Sequence, residues 1–189
     1  MREEIICALK KEVYERCCSE KNHFGFGIYA HIESVVRNAS FLAKEYGADE
    51  EIVAIAAWLH DIASVTDYAL YKEHHIHGAD IARPILEALG YEEKRIVHVQ
   101  ECIYCHRGSR RMEMPSVEAV CVADADAISH FDSIPSLLYL AYVKKGMSLE
   151  EGISFVRGKL ERSFAKLSDR SKEVYREKYA RVMSIIGDA

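Results

Sequence analysis

A histidine and an aspartate stand side by side at the end of an apolar run, Ala56-Ala57-Trp58-Leu59-His60-Asp61-Ile62. An imidazole nitrogen and a carboxylate oxygen together suit borderline divalent metals such as Mn, Fe, Zn, Co or Ni. Adjacent residues of a helix point about 100° apart, so both side chains can face one ion only where the helix ends or tilts toward it. The pair therefore indicates either a metal site at a helix end or a solvated pair at a helix C-terminus.

Further candidate ligands stand before and after this pair. His31 lies near the start of the preceding predicted helix, and Asp124 and Asp126 lie in a later apolar segment, Val122-Ala123-Asp124-Ala125-Asp126-Ala127-Ile128. Carboxylates among small apolar residues are costly to bury unless a positive partner meets them, and a metal ion is the strongest such partner. The alternative is that either aspartate lies on the exposed face of an amphipathic helix.

The ordered set His31, Leu59-His60-Asp61-Ile62 and Ala125-Asp126-Ala127-Ile128 resembles the His…His-Asp…Asp signature of the HD-domain superfamily. Three further segments strengthen the resemblance: Gly47-Ala48-Asp49, His74-His75-Ile76-His77-Gly78-Ala79, and the Asp-Ala-Asp step at 124–126. The resemblance covers about 31–131 and is greatest to small bacterial and archaeal HD hydrolases. It implies an all-α HD-domain helical core with one divalent ion (Mn, Fe, Ni, Co, Zn or Mg) held by His31, His60, Asp61 and a later aspartate.

The choice between the two later aspartates rests on the family register. Helical periodicity places Asp124 on the core-facing stripe with Val120 and Ile128, whereas the resemblance selects Asp126 because an apolar residue follows the family's ligand two positions later. We expect Asp126 to be the ligand and Asp124 to act on stability or on the orientation of other groups.

Two departures from the family pattern follow Asp126. Ala127 and Ser129 stand where related sequences usually have a basic residue and an aspartate. A cation that could contact a substrate phosphate is therefore missing, and the candidate replacements are Lys72, Arg107, Arg110 and Arg111.

Seven histidines remain besides His31 and His60. His74 and His106 approximate positions where other HD subfamilies place ligands for a second metal, and either could instead act as a general acid or phosphate donor beside Asp61. We expect His23 to be a structural residue and His75, His77, His98 and His130 to lie on partly exposed faces. His130 also lies one turn after Asp126 on the same helix face, from which it can approach the site.

The segments that carry these residues are predicted to be consecutive helices, since the alternating pattern of β-branched residues that is typical of strands is nearly absent. The spacing predicts helices over about 2–19, 29–46, 49–62, 74–89, 92–106, 115–131, 149–167 and 169–186. Pro115 is expected in the first turn of the sixth helix, Asp169 at the N-cap of the last, and Ser148 with Glu151 as a capping box. We expect a single domain over 1–189, with the motif-bearing core at about 28–131 and C-terminal helices over 135–187.

Composition restricts the setting. The 189 residues are 49% hydrophobic with a net charge of -5, so no general basic field attracts nucleic acid or an anionic membrane. No apolar run reaches the length of a membrane span, and the N-terminus is acidic, which favours a cytoplasmic protein with reduced cysteines. Cys7, Cys17, Cys18 and Cys121 are expected in the core or partly buried.

These observations predict a metal-dependent phosphohydrolase acting on a nucleotide or a small phosphorylated metabolite. The expected partner is that small molecule, with no membrane and no long nucleic acid, and a homodimer is a candidate assembly. Two rivals stay open: a dinuclear-iron HD oxygenase or diesterase, and an HD-fold ligand-binding or regulatory protein of weak activity.

Overall fold

The computed structural model of the chain describes residues 1–107 and 114–187, and in that part it contains helices and no strand. The helices are α1 (Glu3–Cys18), α2 (Gly27–Tyr46), α3 (Glu50–Leu59), α4 (Ile62–Thr66), α5 (His74–Ala88), α6 (Glu93–Cys105), α7 (Val117–Asp132), α8 (Ile134–Tyr139), α9 (Leu149–Lys166) and α10 (Asp169–Ile186). A short 3-10 helix covers Tyr68–Glu73, and a π-helical turn covers Leu140–Lys144. The expected all-α architecture is confirmed.

Helix α3 lies at the centre of the core. Asp49 caps its N-terminus by accepting hydrogen bonds from the backbone N–H groups of Glu51 and Ile52. Every residue from Ile52 to Leu59 is buried, and the helix packs against α1, α2, α6 and α7. A helix that is apolar on all sides is stable only when it is enclosed in this way.

Helix α7 is the second central element, but it carries polar side chains into the interior. It packs along α2 and also contacts α3, α6, α9 and α10. Its buried polar residues are Glu118, Asp124, Asp126, Ser129 and His130. Because buried polar groups are costly without partners, each of them must be satisfied by a neighbouring element or by a bound ion.

Two predicted helix starts are wrong by a residue or two, and one predicted cap is confirmed. Ser168, not Asp169, is the N-cap of α10, and Pro115 precedes α7, whose N-cap is Ser116. The capping box of Ser148 and Glu151 is present as expected.

The cysteines differ in part from expectation. All six are free thiols, and Cys17 and Cys121 are buried as expected, whereas Cys7 and Cys18 are exposed. Cys7 and Cys18 lie on the outer face of α1, whose buried side consists of Ile5, Leu9, Val13 and Cys17. Within the described ranges, the chain has no helix whose length and apolar character would allow it to cross a lipid bilayer.

Candidate metal centre

Six side chains from separate parts of the chain converge at the centre of the fold, and we call them the His/Asp cluster. They form two groups of three, and within each group the possible ligand atoms lie within 4.8 Å of one another. The first group is His31, His60 and Asp126, and the second is Asp61, His74 and His106. The four residues that the resemblance named as metal ligands are thus brought together, and so are the two additional histidines.

The interruption between α3 and α4 lets His60 and Asp61 point into the same space. Helix α3 ends at Leu59, and Asp61 has φ -106° and ψ 16°, outside the helical region. The Nε2 atom of His60 consequently lies 3.5 Å from Oδ2 of Asp61. A continuous helix would have separated these side chains by about 100°, so the helix end is what allows the pair to act together.

Asp61 lies between the two groups. Its Oδ2 atom is 3.8 Å from Nε2 of His31, and its Oδ1 atom is 3.6 Å from Nε2 of His74. Asp126 completes the first group, with its Oδ1 atom 3.5 Å from Nε2 of His31. A carboxylate whose two oxygens face different groups is placed to contact two ions.

A close approach of helices brings the second group near to the first. Gly78 of α5 packs so tightly that an added Cβ would lie 3.2 Å from the Ile103 side chain and 3.4 Å from the carbonyl oxygen of His60. This glycine therefore lets α5 and α6 reach the end of α3, which positions His74 and His106 beside Asp61.

The imidazoles of three cluster histidines are oriented by backbone carbonyls three residues earlier. The Nδ1–H groups of His60, His74 and His106 donate to the carbonyls of Ala57, Tyr71 and Ile103 at 2.8, 2.9 and 2.5 Å. This arrangement fixes the tautomer and leaves each Nε2 lone pair facing the centre of the cluster, as metal-binding histidines require.

Ser129 orients the fourth imidazole. Its hydroxyl donates to the Asp126 carbonyl at 2.6 Å, so it accepts from Nδ1–H of His31 at 3.0 Å. The serine that departs from the family pattern therefore holds a predicted ligand in place. Sequence reasoning noted the departure but did not identify this contact.

Two unfavourable features of the His/Asp cluster would be relieved by a bound cation. The Nε2 atom of His60 is fully buried and, among the residues that the structure describes, has no hydrogen-bond partner. The Nε2 atoms of His74 and His106 lie 3.0 Å apart, and their lone pairs repel if both Nδ1 atoms carry the protons. Imidazole and carboxylate donors of this kind suit a borderline divalent metal, so the residues present fit such an ion.

The local electrostatics keep the ligands in the form that binds metal. Burial lowers the pKa of His31 to about 4 and the pKa of His106 to about 3, because desolvation disfavours the imidazolium. Burial alone would raise the pKa of Asp61, but the nearby imidazoles of His60 and His74 hold it below its usual range. At pH 7, His31 and His106 are therefore neutral imidazoles and Asp61 is an ionised carboxylate.

Helix α9 supplies the cations that the sequence lacks after Asp126. The Lys166 ammonium lies 2.5 Å from Oδ2 of Asp126, and Lys159 and Arg162 line the same cleft. Sequence analysis assigned no function to this helix. The signal was the spacing of Lys159, Arg162 and Lys166, which places three basic residues near one another on one helix.

The four replacement cations expected from the sequence have different outcomes. Lys72 and Arg107 line the same cleft as the basic residues of α9, and Arg107 donates to the carbonyl of Lys72. Arg110 and Arg111 lie outside the described residues. Basic residues from separate parts of the sequence therefore border the cleft at the cluster, although the whole chain is acidic.

Asp124 and Asp126 face different neighbours. Asp126 points into the cluster, whereas Asp124 accepts from the backbone N–H of Ser168 at 2.9 Å and from its hydroxyl at 2.5 Å. Asp124 therefore connects α7 to the start of α10. The family register predicts this difference, and Asp126 as the metal-binding carboxylate stays a prediction.

Two histidines expected on partly exposed faces are buried. His130 is 6% exposed, with its ring centroid 5.2 Å from that of His31 and its Nδ1 atom 3.0 Å from the Ser163 hydroxyl. His75 is 3% exposed. The expectation was wrong because α7 is enclosed by α9 and α5 is covered by α6, and neither packing is visible in a local pattern. His77 and His98 are partly exposed as expected, and His23 is exposed and contacts Tyr68.

The HD domain family model matches residues 28–130, more than half of the chain, and the chain belongs to this family. HD domains are generally metal-dependent hydrolases that bind divalent metals through histidine and aspartate. The matched segment contains all six residues of the His/Asp cluster, whereas the basic residues of α9 lie beyond its end.

Among curated proteins, the chain is similar to Ribonuclease Y of Clostridium tetani (32% identity over 146 residues) and of Clostridium novyi (30% over 146 residues). Each match covers 77% of this chain but only 26% and 27% of the relative, respectively. The chain thus spans about a quarter of the length of these relatives.

Solved structures support the fold. A protein from Lactobacillus plantarum and Bacillus subtilis YpgQ each superpose with a TM-score of 0.69 at 19% identity. The matches cover 97% of this chain and 94% and 92% of the two neighbours. The similarity therefore extends beyond the family segment to the N- and C-terminal helices.

Proposed function

We propose that this protein is a metal-dependent hydrolase of phosphate ester or phosphoanhydride bonds, acting on a nucleotide or a small phosphorylated metabolite. His31, His60, Asp61 and Asp126 would hold the ion. The observation that carries the proposal is the convergence of oriented imidazoles and ionised carboxylates around the unpartnered Nε2 of His60. A divalent ion bound there supplies a Lewis acid and a water of lowered pKa.

The chain's own side chains provide the remaining functions of a phosphohydrolase. Lys159 and Arg162 border the cleft at the cluster, where their charges can bind phosphoryl oxygens. The Lys166 ammonium donates to Oδ2 of Asp126, so it partly neutralises that carboxylate and limits its rotation. Asp61 lies between the two groups, where it can hold and orient a water for attack on phosphorus.

A second candidate is a two-metal diesterase, and the second group of ligands favours it. Asp61, His74 and His106 form a separate set of three whose imidazole lone pairs face each other. Two ions in one site stabilise both the attacking and the leaving oxygen of a phosphodiester. The relatives named Ribonuclease Y are consistent with a phosphodiester substrate, and RNA belongs in the substrate panel for that reason.

Hydrolysis of a panel of phosphorylated substrates tests the proposal. Protein freed of metal is reloaded separately with Mn2+, Co2+, Ni2+ and Mg2+ and is given nucleoside mono- and triphosphates, sugar phosphates, cyclic and linear dinucleotides, and short RNA. We expect turnover of at least one substrate, lost in Asp61→Ala and kept in the control Asp80→Asn, since Asp80 is exposed and outside the cluster.

The outcome separates the rivals. Release of inorganic phosphate or pyrophosphate supports a phosphomonoesterase or a phosphoanhydride hydrolase. Cleavage confined to phosphodiesters supports the diesterase. A metal-loaded protein without turnover on the whole panel would contradict the enzyme proposal in favour of a binding protein. Substrate-dependent oxygen consumption by the iron-loaded protein would instead favour the oxygenase.

A further inference from the structure

A second cavity adjoins both the cluster and the basic cleft, and we call it the side chamber. Its volume is about 470 Å3, within the range usual for small-molecule sites, roughly 300–1,000 Å3. Its walls include the apolar side chains Phe24, Ile28, Leu137, Leu140 and Phe155, and its inner end is formed by His31 and Asp61. A molecule in the chamber would therefore touch the predicted metal ligands directly.

Several walls of the side chamber come from elements beyond the matched family segment. Leu137 belongs to α8, Leu140 opens the π-helical turn, and Phe155 belongs to α9. Short π-helical segments are rare and occur frequently at functional sites. The C-terminal helices therefore supply part of the chamber wall.

Lys159 and Arg162 mark the junction between the two cavities. Both line the side chamber and also the basic cleft, as do His31, Asp61 and Tyr71. If these cations bind the phosphoryl group of a substrate at the cluster, the organic group of that substrate can lie in one of two places. It can lie in the cleft, among charged side chains, or in the chamber, among apolar walls.

We propose that the side chamber binds the organic group of a phosphorylated substrate and selects phosphate esters of apolar, ring-bearing alcohols over those of polyols. This inference rests on the proposed phosphohydrolase function and specifies its substrate class. The ring of Phe24 lies 5.0 Å from that of Tyr71 at the chamber, and Phe155 forms part of another wall. Aromatic walls favour a planar guest by edge and face contacts.

Few polar side chains line the chamber without also lining the basic cleft: among the described residues they are Ser64, Ser133, Ser136 and Tyr139. Ser64 already donates its hydroxyl proton to Oδ1 of Asp61 at 3.0 Å. Ser133 and Ser136 are the other serines that line the cavity. A sugar or glycerol chain would therefore leave hydroxyls without partners against apolar walls, which opposes binding.

Binding of two phosphonates to the Mn2+-loaded protein tests the proposal without requiring turnover. Benzylphosphonate and methylphosphonate carry the same head group and differ by an aromatic ring. We expect calorimetry to give benzylphosphonate at least about a 10-fold lower Kd. Equal Kd values would overturn the chamber proposal and leave the phosphohydrolase proposal intact, whereas failure of both ligands to bind would contradict both.

A substitution at Gly27 locates the effect in the chamber. Gly27 lines the cavity, its φ is not positive, and an added Cβ meets no atom within 4 Å, so Gly27→Leu is expected to fold. The leucine would occupy chamber space and reduce the benzyl preference to less than about 3-fold, with methylphosphonate binding unchanged. Ala30→Leu is the matched control, because Ala30 is exposed on the same helix and does not line the chamber.

A second variant covers the case in which the leucine introduced at position 27 points out of the chamber. Leu140→Ala removes apolar wall and is also expected to lower the benzyl preference. Retention of the full preference in both Gly27→Leu and Leu140→Ala would overturn the proposal. With turnover established, hydrolysis of benzyl phosphate is compared with that of glycerol 1-phosphate, and kcat/KM is expected to favour the benzyl ester by about 10-fold or more.

Discussion

The pair Asp124 and Asp126 allows a matched test of the cluster, since the two carboxylates lie on one helix and differ in what they contact. In Asp126→Asn, the side chain keeps its size, but the oxygen that faces His31 at 3.5 Å loses its charge. We expect the affinity for Mn2+ to fall by more than about 100-fold, since even residues that only support ligands affect affinity by about 10- to 100-fold. In Asp124→Asn, the affinity is expected to change by less than about 3-fold.

The two variants should be similar in stability, which removes unfolding as an explanation. Asp124→Asn weakens two hydrogen bonds from Ser168, and Asp126→Asn leaves the Lys166 ammonium, only 16% exposed, without its counter-charge. Each change is expected to lower the free energy of unfolding by about 1–3 kcal/mol in metal-free protein. Urea denaturation measures this quantity.

Competition against a fluorescent chelator gives the Mn2+ affinity of each variant, and circular dichroism verifies that both are folded. Loss of binding in Asp124→Asn together with retention in Asp126→Asn would refute the choice of register. Retention in both would show that neither carboxylate holds the ion.

Three further outcomes follow from the same contacts. Lys166→Met is expected to lower kcat/KM by about 10- to 100-fold while bound metal is retained, because the ammonium serves Asp126 and the cleft rather than the ion; unchanged kinetics would contradict this. For the two-metal candidate, His106→Gln is expected to reduce bound metal, measured by elemental analysis, from about two ions per chain to about one; an identical metal content would favour the one-metal site. Glu51→Gln tests an ionic contact outside the cluster. Burial alone would raise the pKa of Glu51, but hydrogen bonds from Arg2 lower that pKa from 4.5 to about 2. The ionised carboxylate therefore stabilises the fold above pH 4.5, and this contribution is lost as the pH falls toward 2. The variant should be about 1–3 kcal/mol less stable at pH 7, with a difference that shrinks in acid; a difference independent of pH in denaturation experiments would exclude the ionic explanation.

The arrangement of ligands could be predicted because it depends on short motifs and chain order. The adjacent His60 and Asp61 required a helix end, and the structure has the end of α3 at that point. The convergence of His31 and Asp126 on that end followed from the family pattern, since no local period indicates it.

The basic residues of α9 could not be assigned from the sequence for a physical reason. Lys166 contacts a residue 40 positions earlier, and such a contact depends on how α9 packs against α7. A lysine or arginine every few residues is equally typical of a solvated helix face. The burial of His130 was missed for the same reason, since its neighbour Ser163 also belongs to α9.

Helix starts were less predictable because neighbouring residues were equally suitable caps. Ser168 and Asp169 are both strong N-cap residues, and only the backbone conformation distinguishes them. A shift of one residue at such a point changes the position of a terminal turn but leaves the packed face of the helix in place.

The six cluster residues come from positions 31 to 126 and lie on, or at the ends of, the five helices α2, α3, α5, α6 and α7. An ion held by them would act as a cross-link that closes these loops of chain at one point. Its contribution to stability would grow with free metal, by about 2.7 kcal/mol at a concentration 100 times the Kd. The supply of metal would then govern how long the folded chain survives proteolysis, so that metal starvation would reduce the amount of the protein as well as its activity.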